Sequence, residues 1–410
     1  MSWIMASCLL ASMLLVSPLH AQRSAPADAL TRARVVELAM ERAPDVLDAD
    51  ARLLESHGRL RGARILTGNP VVDVVTGGSG GGGNRTEVEI SVPVGFGLKR
   101  ARRIGVANAE LQRDERLAED ARRLAVGAAL NAYYRVLHVT SRLGVARERL
   151  VLAERLRSAI GDRFTSGDVA RLDLNVAETE VSRARSDVFV EQQGIAEARA
   201  GLALVLGLPS MTDRDVVGDL AERPALEEFR NDSELTERPD IQAAASQLKA
   251  AGAEHSLAGM AALPDLAFRL NYQRAGDDSE WLPGFAVTVP VFDRGQGIRT
   301  ETRARTHRAR LELERRTAAA SAEQEAATAA YTAAVASVEE LEKNALPRAL
   351  EIESMSEESY LSGKSNLGAM LVLRRETLET RLDYVDRLLE AALRGVDVGL
   401  AIGMWPQERK

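Results

Sequence analysis

The sequence predicts a mainly α fold with a small β part, built from one helix-strand-strand-long helical hairpin unit used twice. Three observations predict it. The 410 residues are 28% charged and only 4% aromatic, a balance that suits long, closely packed helices better than a large globular core. Short motifs recur in the same order about 196 residues apart. In each half, two segments that alternate apolar and polar residues precede a very long stretch with an Ala-rich seam.

The recurrence spans the chain. Ala43-Pro44-Asp45-Val46 returns as Arg238-Pro239-Asp240-Ile241, and Val92-Pro93-Val94 as Val289-Pro290-Val291. Ser166-Gly167 returns as Ser362-Gly363, and Leu206-Gly207 as Ile402-Gly403. A period this long is that of a whole structural unit, not of a solenoid repeat. The expected units are residues 22–208 and 238–405. Residues 209–237, with Pro209 and Pro224, form the connector, and 406–410 a tail.

Strands are expected near 70–76, 86–95, 265–274 and 281–292. In the second, Val88, Ile90, Val92 and Val94 alternate with Glu87, Glu89 and Ser91. Gly77 to Asn84 reads as a flexible loop joining it to the Val-rich first strand. In the third, Leu266, Phe268, Leu270 and Tyr272 alternate with Asp265, Arg269, Asn271 and Gln273; in the fourth, Trp281, Phe285, Val287, Val289 and Val291 form the apolar face. Phe96, Phe268, Tyr272, Trp281, Phe285 and Phe292 gather six of the chain's sixteen aromatic residues here. Strands of about 9–11 residues, apolar on one face and polar on the other with aromatics near their ends, carry the pattern of a transmembrane barrel. A sheet covering a soluble core is the alternative. Two hairpins cannot close a barrel, and lipid tolerates no open edge, so a membrane-spanning sheet requires several chains.

Helical hairpins are expected over about 100–207 and 298–403. From Ala107 a stripe runs through Leu111, Asp114, Ala118, Ala121, Ala125, Ala128 and Ala132 to Ala153 in steps of three and four, a coiled-coil rhythm. The second copy repeats it from Ala318 to Ala336. A helix from Arg100 to Arg157 would be about 87 Å long, so the molecule is elongated. Pro347 is expected to kink or interrupt the second long helix.

Residues 1–21 contain no Lys, Arg, Asp or Glu and end in Leu19-His20-Ala21, which reads as a signal peptide cleaved near Ala21. An uncleaved anchor is the alternative, but Pro18 and His20 interrupt the run. No later stretch approaches 18 apolar residues. Cys8, the sole cysteine, lies in this segment, so the mature chain has no disulfide or thiolate metal site. A net charge of −7 gives no footprint for nucleic acid.

At this point the chain resembles the TolC-like outer-membrane efflux protein family, from about Thr31 to Trp405. The duplicated element order carries the resemblance, together with Val-Pro-Val at each strand-to-helix junction. Phe292-Asp293-Arg294-Gly295-Gln296-Gly297 resembles the junction of the heavy-metal (CzcC and CusC) branch. Arg163 to Asp173 and Ser359 to Asn366 resemble the two hairpin turns. The resemblance implies a homotrimer in the outer membrane of a Gram-negative bacterium. Its twelve-stranded barrel, in outer-membrane lipid, would continue as an α-helical tunnel through the periplasm. It also implies a periplasmic adaptor and an inner-membrane pump of the proton-driven resistance-nodulation-division type as partners. Gly167 and Gly363 would reverse the chain at the periplasmic tip. Arg163, Asp168, Asp173, Lys364 and Asn366 would contact the adaptor or form the gate. Glu87, Glu89, Arg269 and Asn271 would line the barrel, with Phe268, Tyr272, Trp281 and Phe285 facing lipid. The second turn departs from the family: Ala369 and Val372 stand where acidic residues often do.

Other classes fit less well. His57, His138, His255 and His307 have no ligand-like spacing, so no metal site, cofactor or catalytic residue is expected. Gly78 to Gly83 satisfies a dinucleotide-loop pattern but leads into a strand, not a helix. A periplasmic adaptor would carry one hairpin between β-domains, and a coiled-coil scaffold would use its strands only as a cap.

Overall fold

A computed structural model describes residues 29–65, 68–79, 83–94, 97–211, 214–222, 235–275 and 277–403. The expected signal segment with Cys8, Phe96, much of the connector and the tail lie outside the described residues.

Two short helices open the chain, α1 (Arg32–Arg42) and α2 (Pro44–Ala63). The hairpin β1 (Val71–Ser79) and β2 (Gly83–Val94) follows, then α3 (Leu98–Thr165) and its returning partner α4 (Arg171–Val205). After a 3₁₀ turn at Leu235–Glu237 the order recurs: α5 (Pro239–Ala258), β3 (Asp265–Ala275), β4 (Asp278–Thr288), α6 (Gln296–Glu340), α7 (Leu346–Leu361) and α8 (Leu367–Ala401). Among the described residues no helix is long and apolar enough to cross a membrane.

Restrictive residues punctuate these helices. Pro44 and Pro239 begin α2 and α5, where a missing N–H costs nothing and φ is already helical. Asp45 and Asp240 follow in the first turns, on the side favoured by the helix dipole. α3 is an unbroken 68-residue helix, about 100 Å long at 1.5 Å per residue. Its counterpart is interrupted by a π turn at Leu341–Ala345. Pro347 offers no N–H to the carbonyl four residues back, and the widened turn takes up the mismatch.

The core is a seam between helices. Leu130, Tyr133, Val136 and Leu137 of α3 meet Leu202 of α4, Val338 of α6, and Val385, Leu388 and Val396 of α8. Gly207 (φ +62°) ends the turn after α4, and a Cβ there would lie 2.7 Å from the Arg42 carbonyl oxygen. Gly403 (φ +72°) sits equivalently after α8, where a Cβ would lie 2.6 Å from Cγ of Arg238. Arg238 is itself buried. It pairs with both Asp240 carboxylate oxygens at 2.7 and 2.8 Å, reaches Glu323 at 2.8 Å, and donates to the Ala401 carbonyl at 3.0 Å. One side chain thus fastens α5, α6 and the end of α8.

Candidate functional site: a two-faced sheet and paired hairpin tips

The four strands form one antiparallel sheet in the order β1-β2-β3-β4, and among the described residues one edge of β1 and one edge of β4 have no strand partner. Residues directly opposite in the ladder share a face. The register therefore puts Val74, Val88, Tyr272 and Trp281 in one row and Val72, Ile90, Leu270 and Pro283 in the next. Val92, Phe268 and Phe285 form a third. Phe268 and Phe285 meet edge to face at 5.7 Å, and Tyr272 and Trp281 lie 4.8 Å apart. This face is open: Val74 is 62% exposed, Trp281 61% and Phe285 70%. Among the described residues these side chains meet no covering element.

The opposite face is polar on its two central strands, with Val71, Val75 and Leu282 on the outer ones. Asp73, Glu89 and Asn271 share a row, as do Glu87, Gln273 and Glu280. Asn271 donates to Glu87 at 2.6 Å, Gln273 donates to Glu87 at 3.3 Å, and Arg269 pairs with Glu89 at 3.2 Å. Glu87, Glu89, Arg269 and Asn271 thus lie together on one face, and Phe268, Tyr272, Trp281 and Phe285 on the other. Arg85 and Gln273, hydrogen-bonded at 3.3 Å, extend the polar face; the same two-residue alternation marks both in the sequence.

The strand limits differ in two places. β4 ends at Thr288, not at Phe292, so Val289 and Val291 are outside the sheet and Phe292 is 93% exposed. Thr288 pairs with Asp265, the first residue of β3, so the ladder has nothing further to offer Val289. At the other hairpin, Gly77 and Gly78 belong to the ladder, opposite Arg85 and Asn84, not to a loop.

The two helical turns are built alike. After α3, Ser166 caps the helix and Gly167 takes φ +82°; its N–H donates to the Phe164 carbonyl at 3.1 Å, and that of Asp168 to Arg163 at 2.8 Å. After α7, Gly363 takes φ +73°, its N–H donating to Tyr360 at 3.0 Å and that of Lys364 to Ser359 at 2.9 Å. Both are left-handed glycine caps that satisfy the last helical carbonyls. Asn366 then caps α8, accepting from the Ala369 N–H at 2.8 Å. Asp173 lies in the first turn of α4.

These turns are neighbours in space. Leu156 and Ile160 of α3, Ala177 of α4, Tyr360 of α7, and Leu367 and Met370 of α8 form a small core, and the Arg163 guanidinium lies 5.5 Å from the Tyr360 ring centroid. Gly167, Asp168, Gly363, Lys364 and Asn366 are exposed beyond it. Tyr360 carries no signal in the sequence beyond its place near the turn. Farther up, Arg142 of α3 reaches Glu191 of α4 at 3.0 Å and Asp386 of α8 at 2.9 Å, while His138 meets Asp386 at 2.7 Å. Burial raises the Asp386 pKa, but the hydrogen bonds from His138 and Arg142 outweigh this and hold it below the ordinary carboxylate range. His57 and His307 are exposed, whereas His138 and His255 are half-buried; His255 lies 3.0 Å from the Thr302 hydroxyl. Among the described residues no group of His, Cys, Asp and Glu could hold a metal ion.

The fold is shared with individual solved outer membrane channels. The Campylobacter jejuni CmeC outer membrane channel superposes with a TM-score of 0.79 at 16% identity, covering 91% of this chain and 85% of that one. CusC, described as forming a transmembrane channel, gives 0.75 at 18% identity, covering 91% and 92%. In sequence, the chain is 26% identical over 210 residues to the pyoverdine export outer membrane protein OpmQ of Pseudomonas putida. That match takes in 49% of this chain and 44% of OpmQ, less than half the relative's length. No family model matches the chain.

Proposed function

We propose that this chain is the outer-membrane exit duct of a tripartite export machine. The sheet carries the reading. One face is apolar and aromatic, the other carries Glu87, Glu89 and Arg269 on its two central strands, and among the described residues both edges lack strand partners. In hydrocarbon every backbone group needs a partner, so such a sheet is stable only when copies close it edge to edge. Three copies make a twelve-stranded barrel with Glu87, Glu89, Arg269 and Asn271 toward the lumen and Phe268, Tyr272, Trp281 and Phe285 toward lipid. The hairpins continue it as a tunnel. The turns at Gly167 and Gly363 form its periplasmic tip, where Arg163, Asp168, Asp173, Lys364 and Asn366 meet an adaptor or gate the opening. The recurring element order is the product of an internal duplication. Conduction is passive and not enzymatic, so energy comes from an inner-membrane pump of the resistance-nodulation-division type, joined through the adaptor. Residues 1–21 supply the export signal.

Two cargo classes have separate supports. Phe292 to Gly297 favours heavy-metal cations, as in the branch it resembles, and the match to a pyoverdine exporter favours an organic cargo.

The test is to fractionate cells producing the full chain, measure the detergent-solubilised particle by sedimentation, and insert it into planar bilayers. A trimer in the outer membrane with stepwise conductance is expected. A monomer that washes from the membrane overturns the reading. Growth of a deletion strain on divalent metals, dyes, antibiotics and iron limitation then assigns the cargo.

A further inference from the structure

Val289 and Val291 carry the alternation of β4 past its last paired residue, Thr288, and both are exposed. Their counterparts in the first half of the chain are paired. Val92-Pro93-Val94, which recurs as Val289-Pro290-Val291, lies inside β2, where Val92 stands opposite Phe268 of β3 and Val94 opposite Leu266. The first occurrence of the motif thus has a neighbouring strand to its end. The second, among the described residues, has none. Val289 and Val291 also keep the parity of Phe285 and Val287, so a strand prolonged through them holds them on the apolar face. A strand edge with unpaired N–H and C=O groups is a template for another strand.

We infer that β4 lengthens to Val291 by pairing with β1 of a second copy of this chain, with Val289 opposite Val74 and Val291 opposite Val72 of that copy. The inference rests on the duct reading above, which brings those two edges together. The register follows from the recurrence. Phe268 and Leu266 pair with Phe285 and Val287 in one hairpin. Phe285 and Val287 stand as far before Val289 as Val88 and Ile90 stand before Val92, and Val88 and Ile90 pair with Val74 and Val72 in the other hairpin. Val74 and Val72 are therefore the equivalents of Phe268 and Leu266, and the β2–β3 junction transfers onto the junction between copies. This register sets apolar residues against apolar ones, which fixes it wherever that face is buried. It places Asp73 opposite Pro290 and not opposite Glu280, so no like charges face each other. Pro93 occupies the place of Pro290 in β2 without ending the ladder. Phe285 comes opposite Gly78, where an aromatic ring covers a strand glycine.

The test is disulfide trapping in the full chain, with the sole cysteine removed as C8S. Opposed residues bring their Cβ atoms to about 4.5–5.5 Å, a separation that a small shift closes to a disulfide. Under oxidation, V74C/V289C and V72C/V291C should convert most chains in the membrane fraction to linked species on a non-reducing denaturing gel, and a reductant should reverse this. The single variants V74C and V289C should run as monomers. The pair V72C/F285C comes into register only if the copies pair within the strand limits of the single chain, and it should give about tenfold less product or none. A membrane-borne oligomer in which neither expected pair links, or in which V72C/F285C links best, overturns the inference and leaves the duct reading standing. A chain that stays monomeric in the membrane fraction overturns both.

Discussion

Arg163 stacks its guanidinium over the ring of Tyr360, with 5.5 Å between them, and so joins the last turn of α3 to the last turn of α7. The contact links two hairpins whose turns lie 196 residues apart in sequence and side by side in space. Tyr360 is 5% exposed, so the stacked pair covers the small core beneath both tips.

Replacing Arg163 by Ala should therefore loosen the tips without unfolding the chain. A cation–π contact of this kind contributes about 0.5–1 kcal/mol. Amide hydrogen exchange should rise over residues 357–370 while the midpoint of thermal unfolding stays within a few degrees. Tyr360→Ala should do the same more strongly, because it also opens a cavity among Ile160, Leu367 and Met370. Unchanged exchange in both variants would mean the tips are held together by something else.

The Arg238 cluster should respond differently. Arg238→Ala takes from Asp240, 6% exposed, its two close guanidinium bonds and leaves only Arg316 at 3.9 Å within salt-bridge reach, and should cost about 3 kcal/mol. The paired replacement R238M/D240L should cost less than Arg238→Ala alone, because it removes both charges together. Chemical denaturation of the three proteins checks the order.

Acid should find the same weak points. For Asp240, burial pushes the pKa up, and the hydrogen bonds and charge of Arg238 more than reverse this, leaving it lowered. Asp114 is lowered in the same way by Arg113 and Ser56 against the pull of burial. Carboxylates with depressed values add stability above their unfolded value of about 3.8 and lose it as the pH falls through the folded one. The unfolding midpoint should thus drop steeply below about pH 4, and Asp240→Asn should flatten that limb while lowering stability at pH 7.

The turn glycines should separate into two kinds. Gly167→Ala meets nothing within 4 Å, so it should cost only the left-handed backbone penalty of about 1–2 kcal/mol. Gly207→Ala adds a collision with the Arg42 carbonyl at 2.7 Å and should cost more. Thermal melts of the two variants should differ by several degrees.

On the sheet, the proposed duct requires Val74→Arg to block membrane assembly, since a charge on a lipid-facing strand position costs about 2–4 kcal/mol near the midplane. Glu89→Gln, on the polar face, should assemble normally. Outer-membrane fractions probed for the assembled particle distinguish the two.

Much of this architecture is legible in the residues because it rests on local geometry. A proline at a helix start, a glycine where φ turns positive and a two-residue alternation each constrain the chain where they stand. Pro44, Pro239, Gly167 and Gly363 announce their turns for that reason. The end of β4 was not legible, since Val289 and Val291 continue the alternation and only the limit of β3 at Asp265 stops the pairing. Gly77 and Gly78 read as loop because glycine is rare in strands, yet they pair with Arg85 and Asn84 respectively. The buried pair Ser56 and Asp114, and buried Arg238 with its exposed partner Glu323, are distant in sequence. No period reveals them.

The unpaired edges of β1 and β4 have a kinetic consequence. In the duct proposed above, a solitary chain could not enter hydrocarbon with those N–H and C=O groups unmet, so insertion and association would be a single event. The rate of arrival in the membrane should then climb as a high power of the concentration of free chains, and halving synthesis should delay mature particles far more than twofold. Before such assembly the chain would carry its apolar sheet face through water, where an exposed patch of that kind is an aggregation liability.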